Sequence, residues 1–263
     1  MVQKLKAIGR RGAPSLRNVL FSYFNYWPVS SLADHWLADM PVYCITLKRA
    51  VKRRANMERQ ARLMGLRQLH FVEAVDASKL SVEQLIADGI YDKGESLKWH
   101  TNGLTLNEVA CSLSHAACYR RMVEAGVDRA IVIEDDALFR TRRLARLELS
   151  RVPEWADLLF LNAFYESTPP KERVAPYLYS DQSYLGSCAA YMLTASAAAR
   201  LLDAAIPVVH AADGLVGRAL DWAGDLPHAF RQQGCTLKLR GVMVYPEAVT
   251  NGSTEHYYRS SLR

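Results

Sequence analysis

The run Ile131-Val132-Ile133-Glu134-Asp135-Asp136 decides the fold of this chain. With Arg129-Ala130 before it, the run is a short apolar, β-branched strand of the buried kind. It ends abruptly in three successive carboxylates. Like charges this close repel, and some are driven to protonate unless a cation neutralises them. In an open α/β sheet, ligands bind at the carboxyl ends of the strands. Hard oxygen donors there suit Mg²⁺ or Mn²⁺, ions that bridge protein carboxylates to substrate phosphates. Glu134 and Asp136 are the candidate metal ligands, and Asp135 is a candidate contact to whatever the ion holds. A solvated acidic turn is the competing reading.

Immediately upstream, Thr105-Leu106-Asn107-Glu108 has capping-box spacing and opens a helix to about Ala125. Glu108, Ser112, His115 and Tyr119 fall at i, i+4, i+7 and i+11 and share one face. This stripe starts at the helix N-terminus, where anions are favoured. Ser112 and His115 are therefore candidate contacts to a nucleotide or an acceptor sugar. The alternative makes Glu108 a helix cap and His115 a satisfied core histidine.

Farther out, strands are expected at 42–47, 69–75, 157–162, 188–193, near 226–231 and at 236–244. Helices are expected at 51–64, with Gly65 as stop, from Ser81 to Gly89, at 195–205 and at 213–222. Residues 90–104 read as a loop and 245–263 as an irregular tail. Strands alternating with helices predict an α/β fold, a mostly parallel sheet with helices on both faces. It forms one domain over 41–263, preceded by an appendage at 1–40.

The charge is uneven. The chain of 263 residues has a formal net charge of +6, yet residues 1–62 hold 12 basic and 3 acidic side chains. The remaining residues are slightly acidic, with 21 basic and 24 acidic. This split argues against a nucleic-acid binder and for a local anion site or a membrane-facing arm. The appendage adds Phe21, Tyr23, Phe24, Tyr26, Trp27 and Trp36 to its basic residues. It reads either as an arm packed on the body or as a segment touching anionic lipid. No stretch is long and apolar enough to span a bilayer, and 19–27 is too interrupted for a cleaved signal. Five scattered cysteines without C-x-x-C spacing read as reduced thiols, and the chain as cytoplasmic.

Just past the first strand lie Lys48, Arg49, Lys52, Arg53 and Arg54. Arginines in a βα turn can grip a diphosphate, and Arg49 and Arg53 are the candidates. No Gly-rich dinucleotide or P-loop pattern accompanies them.

These residues resemble glycosyltransferase family 25, the lipopolysaccharide and lipooligosaccharide biosynthesis glycosyltransferases. The likeness is most specific over 106–115, Leu-Asn-Glu-Val-Ala-Cys-Ser-Leu-Ser-His, and over Ile133-Glu134-Asp135-Asp136-Ala137. It also includes Ile45-Thr46-Leu47-Lys48-Arg49, Arg53-Arg54 and 71–76, Phe-Val-Glu-Ala-Val-Asp. Weaker echoes are Ala190–Thr194 and Ala212-Asp213. Asn107, Ala110 and Thr46 depart from the family's usual Gly, Gly and Asn.

The resemblance implies a GT-A-like fold, a UDP-sugar donor, usually UDP-galactose, and inverting transfer to an oligosaccharide. It makes Glu134-Asp135-Asp136 a D-x-D-like motif for Mn²⁺ or Mg²⁺ and places Thr46 at the donor site. The acceptor is then a lipopolysaccharide, a lipooligosaccharide or another cell-surface glycan, and the linkage a β-galactoside. An enzyme using lipid-linked acceptors would sit peripherally on the inner face of the cytoplasmic membrane. An inverting transfer needs a carboxylate base for the acceptor hydroxyl. Asp213 is the first candidate and Glu108 the second. His256 is a further candidate metal ligand. The alternatives are another nucleotide-dependent transferase and a non-catalytic partner in envelope glycan assembly.

Overall fold

The computed structural model describes residues 32, 34–162, 172–180, 187–220 and 237–253. His256, the expected strand near 226–231 and residues 1–31 lie outside the described residues.

Five strands come where the sequence places them: β1 (Val42–Thr46), β2 (Leu69–Glu73), β3 (Arg129–Glu134), β5 (Leu158–Phe160) and β8 (Ala190–Thr194). So does β9 (Gly241–Val244). The sequence reading did not separate β4 (Ala137–Phe139), β6 (Arg173–Ala175), β7 (Leu178–Tyr179) or β10 (Val249–Asn251). The helices are α1 (Val51–Met64), α2 (Val82–Ala87), α3 (Lys93–Trp99), α4 (Leu106–Glu124), α5 (Thr141–Leu144), α6 (Ala195–Ala205) and α7 (Ala212–Ala219). Gly65 ends α1 in the left-handed region at φ 74°, where a side chain would be strained. The capping box of α4 is complete: Thr105 and Glu108 each accept from the other's backbone N–H.

Two expectations are corrected. Residues 90–104 contain α3, whose N-cap Asp92 accepts from Glu95 N–H. Its one buried residue is Ser96, so no apolar stripe marks it in the sequence. The tail at 245–263 contains β10, three residues that pair antiparallel with β4.

The main sheet has the order β2-β1-β3-β8-β5-β9-β7-β6. Its pairings are both parallel and antiparallel. Pairs β1–β2, β1–β3 and β5–β9 are parallel, while β8 runs antiparallel to both its neighbours and β7 to β9. The α/β layering holds. One face buries Val42, Cys44, Ile131 and Ile133 with Met57 and Met64 of α1. The other buries Tyr43, Ile45 and Val132 with Tyr119 and Met122 of α4 and Leu201 of α6. The alternation along β1 and β3 follows from the two-residue strand period. The described end of the 1–40 segment belongs to this core: Leu32, Leu37 and Met40 pack with Val42 and Leu147.

The sheet places the site. From β1 the chain crosses to β2 on one side, then returns through α4 to β3 on the other. The strand order therefore reverses between β1 and β3, the topological switch point at which α/β sheets open a crevice for ligands. Ile45 lies in register with Glu134, so Thr46 and the three carboxylates share the carboxyl end of that crevice.

Candidate active site at the end of β3

The three carboxylates have three different environments. Asp135 is buried and held from both sides. Its Oδ2 accepts from the Thr46 hydroxyl at 2.8 Å, and its Oδ1 accepts from Arg53 Nη1 at 2.9 Å. A buried ion pair survives when the remaining lone pairs also find donors, and Thr46 supplies that second bond. Thr46 and Arg53, both read from sequence as donor contacts, thus clamp a third candidate residue. Arg49 sits apart, ion-paired with Asp76, with a side chain 62% exposed.

Asp136 is different. Its Oδ2 accepts from the Ser253 hydroxyl, and its backbone oxygen accepts from Gly252 N–H at 2.8 Å. Its Oδ1 is buried and has no hydrogen-bond partner among the described residues. Burial, then the neighbouring Glu134 charge, pushes the Asp136 carboxyl up to about 6. A buried acceptor without a donor costs free energy unless something fills its place. Here a divalent cation fits the donor: a hard oxygen, charged, and facing further carboxylate charge. Ser253 escaped the sequence reading because β10, which delivers it, is only three residues long.

Glu134 is partly exposed at the strand end, and its Oε1 is 3.7 Å from His115 Nε2. His115 is buried in α4, with its ring stacked on Tyr191 and its Nδ1 2.8 Å from the Tyr191 hydroxyl. Ser112 donates to the carbonyls of Glu108 and His210, tying α4 to the segment before α7. Glu108 is engaged in the cap: its Oε2 accepts from Thr105 N–H and from the Thr105 hydroxyl.

Asp213 lies in the first turn of α7, its Oδ1 accepting from Gly214 N–H at 2.8 Å. It lines a small pocket with Phe160, Ser187 and Cys188. Burial pushes the Cys111 and Cys188 thiols well up, and the charges of both Glu134 and Asp213 push them further. Those two carboxylates therefore act on the same two sulfurs from separate elements.

Sequence reading missed the cluster around His210. His100 Nε2 and His210 Nδ1 are 3.3 Å apart, and Trp99 lies beside His210. Burial, with the Arg218 charge behind it, lowers His210 to about 4. Treating 90–104 as a loop hid this contact.

The sequence profile of glycosyltransferase family 25, described as an LPS biosynthesis protein, matches residues 39–216. A glycosyltransferase 25 family member of Drosophila melanogaster is 30% identical over 173 residues, 62% of this chain and 28% of the fly protein. Procollagen galactosyltransferase 1 of Danio rerio is 32% identical over 178 residues, 62% of this chain and 28% of the fish protein. The inactive glycosyltransferase 25 family member 3 of Mus musculus is 34% identical over 143 residues, 51% and 23% of the two chains. The chain thus spans only about a quarter of the length of these curated relatives. The profile covers well over half of the chain, including β1, the capping box, the three carboxylates and Asp213. The chain belongs to glycosyltransferase family 25.

Proposed function

We propose that this protein transfers a hexose, galactose foremost, from a UDP-sugar to a glycan hydroxyl with inversion, in the presence of Mn²⁺ or Mg²⁺. One observation carries the reading. At the switch point of the sheet, Asp135 is locked by Thr46 and Arg53, while the neighbouring Asp136 Oδ1 is buried without a hydrogen-bond partner among the described residues. Asp136 and Glu134 would hold the ion, which when bound stabilises the charge developing on the departing diphosphate.

The chain's own residues do the rest. Asp135 does not ligate in this reading. It fixes the turn so that Asp136 and Glu134 project from one rigid end. Arg53 neutralises Asp135 and leaves the crevice with a net negative charge that attracts a cation. Asp213 is the proposed base, accepting the proton of the acceptor hydroxyl while the sugar carbon is attacked from the face opposite the diphosphate. Its Oδ1 is steadied by Gly214 N–H, which orients the carboxylate without consuming Oδ2. Glu108 serves the helix cap in this reading.

The family's description points to lipopolysaccharide-type acceptors, and one relative is named for procollagen, so both acceptor classes belong in the test. The basic, aromatic segment 1–40 supports a peripheral position on the inner face of the cytoplasmic membrane. Among the described residues no helix is long and apolar enough to cross a membrane.

The test is a thermal-shift panel of UDP-galactose, UDP-glucose and UDP-N-acetylglucosamine with and without Mn²⁺, followed by transfer assays on both acceptor classes. A ligand bound only by the folded state raises its stability. Metal-dependent stabilisation by one UDP-sugar is expected. No response to any of them favours the second reading, a non-catalytic partner in glycan assembly. That reading draws support from the mouse relative, whose name marks it inactive.

A further inference from the structure

Beside the three carboxylates lies a second donor set. Cys111 and His115 stand at i and i+4 on α4, so both point from one face of the helix. Glu134 reaches the same place from the end of β3. One ligand atom from each of the three, a sulfur, an imidazole nitrogen and a carboxylate oxygen, lies within 4.8 Å of the others.

His115 is the unexplained member. Its side chain is 2% exposed, and its Nε2 has no hydrogen-bond partner among the described residues. The nearest charged oxygen, Glu134 Oε1 at 3.7 Å, is too far for a hydrogen bond. It is, however, within about 0.1 Å of the separation of two ligands on one ion, since bonds of about 2.0–2.2 Å at a tetrahedral angle put donor atoms roughly 3.3–3.6 Å apart.

The far side of the ring is already arranged. Nδ1 is 2.8 Å from the Tyr191 hydroxyl, which is 2.6 Å from the Tyr119 hydroxyl, all of it buried. The tautomer that donates Nδ1–H to the Tyr191 oxygen leaves the Nε2 lone pair facing Cys111 and Glu134. Metal-binding histidines are oriented in this way by a partner on the other nitrogen. The ring is also stacked on Tyr191 at an interplanar angle of 10°, so its direction is fixed before any ion arrives.

We infer that Cys111, His115 and Glu134 form a binding site for a thiophilic divalent cation of the zinc class. Sulfur and imidazole ligands select such an ion over Mg²⁺ or Ca²⁺. On binding, the Cys111 thiol releases its proton to solvent and its sulfur bonds to the metal. The dication, one thiolate and one carboxylate then sum to zero charge, the state a partly buried site tolerates best. Three protein ligands leave a fourth position open, on the side where Glu134 is exposed. The inference does not rest on the sugar-transfer reading, although Glu134 is common to both sites and Asp136 is not needed here.

Cobalt is the probe. The full chain, stripped with chelator, is titrated with Co²⁺ and followed by absorption, with proton release measured alongside. One equivalent should bind, releasing about one proton, with a sulfur-to-cobalt charge-transfer band and intense tetrahedral visible bands. Cys111→Ser should abolish the charge-transfer band, while Asp136→Asn should keep it. Tyr191→Phe should weaken Co²⁺ binding by roughly 10-fold or more. If Cys111→Ser does not fold, the wild-type chain answers instead: Zn²⁺, but not Mg²⁺, should protect Cys111 from alkylation. Cobalt bound without the charge-transfer band, a band that survives Cys111→Ser, or alkylation of Cys111 unchanged by Zn²⁺ overturns the assignment. Transfer activity with Mn²⁺ is read separately, so failure of one claim is distinguishable from failure of the other.

Discussion

Arg53 on α1 and Asp135 on the turn after β3 form an ion pair at 2.9 Å, although 82 residues separate them. The pair joins the helix that follows β1 to the end of β3, across the point where the strand order reverses. Its consequence is a division of labour among three adjacent carboxylates. Asp135 is spent on holding the turn, while Glu134 and Asp136 are the carboxylates proposed to hold the ion.

Breaking that pair should be costly. Arg53→Met leaves a buried charge with only the Thr46 hydroxyl to satisfy it. The expected loss is about 3–5 kcal/mol in urea-unfolding midpoints converted with a fixed slope. Asp135→Asn on the same background should recover much of it, because the unpaired charge is then gone. Additive single effects in this double-mutant cycle would show that the pair is not coupled.

Asp136 should lower the stability of the metal-free protein. Its carboxyl is raised from 3.8 to about 6, so the folded state disfavours the charged form. As pH rises from about 4 to 6 the folded state holds more protons than the unfolded, and stability falls. The penalty, on the order of 3 kcal/mol, is fully present above pH 6. Asp136→Asn should therefore raise the melting temperature at pH 7 and remove this slope, as measured by thermal melts across pH.

His210 should show the opposite slope. Lowered from 6.5 to about 4, it stays neutral in the fold while the unfolded chain takes up a proton. Its contribution is present above pH 6.5 and is lost as pH falls toward 4, on the order of 2 kcal/mol after allowance for its partial exposure. His210→Asn should flatten acid denaturation in this window. Relative to wild type, then, the Asp136 and His210 variants should shift the pH–stability curve in opposite senses. A same-sign shift contradicts the assignment.

Gln60 joins α1 to β4 through both ends of its amide. Nε2 donates to the Ala137 carbonyl and Oε1 accepts from Phe139 N–H, each at 3.0 Å, in a fully buried setting. Gln60→Leu keeps the volume but strands two backbone groups, and should cost about 2–5 kcal/mol. Chemical denaturation measures it. A neutral result would mean that water replaces the amide.

The strand-helix alternation made the α/β layers legible from sequence, because β1 and β3 are continuous apolar runs and α4 announces itself with a capping box. The carboxylates at the end of β3 were legible for the same reason. Their individual roles were not. That Thr46 and Arg53 hold Asp135 depends on β1 and β3 lying side by side, which spacing along the chain does not reveal. Ser253 and the His100–His210 contact were hidden in β10 and α3, elements too short and too polar to carry a hydrophobic period. The Cys111/His115 spacing was visible in the sequence, but its meaning required Glu134 beside it. The antiparallel course of β8 was hidden too, since an apolar strand reads the same in either direction.

The most direct test of the account is UDP release from UDP-galactose, with Mn²⁺ and a glycan acceptor, by the wild-type chain and by Asp136→Ala. The account predicts metal-dependent turnover in the wild type and at least a roughly 100-fold loss in the variant, with its fold intact. Equal turnover in both proteins would contradict it.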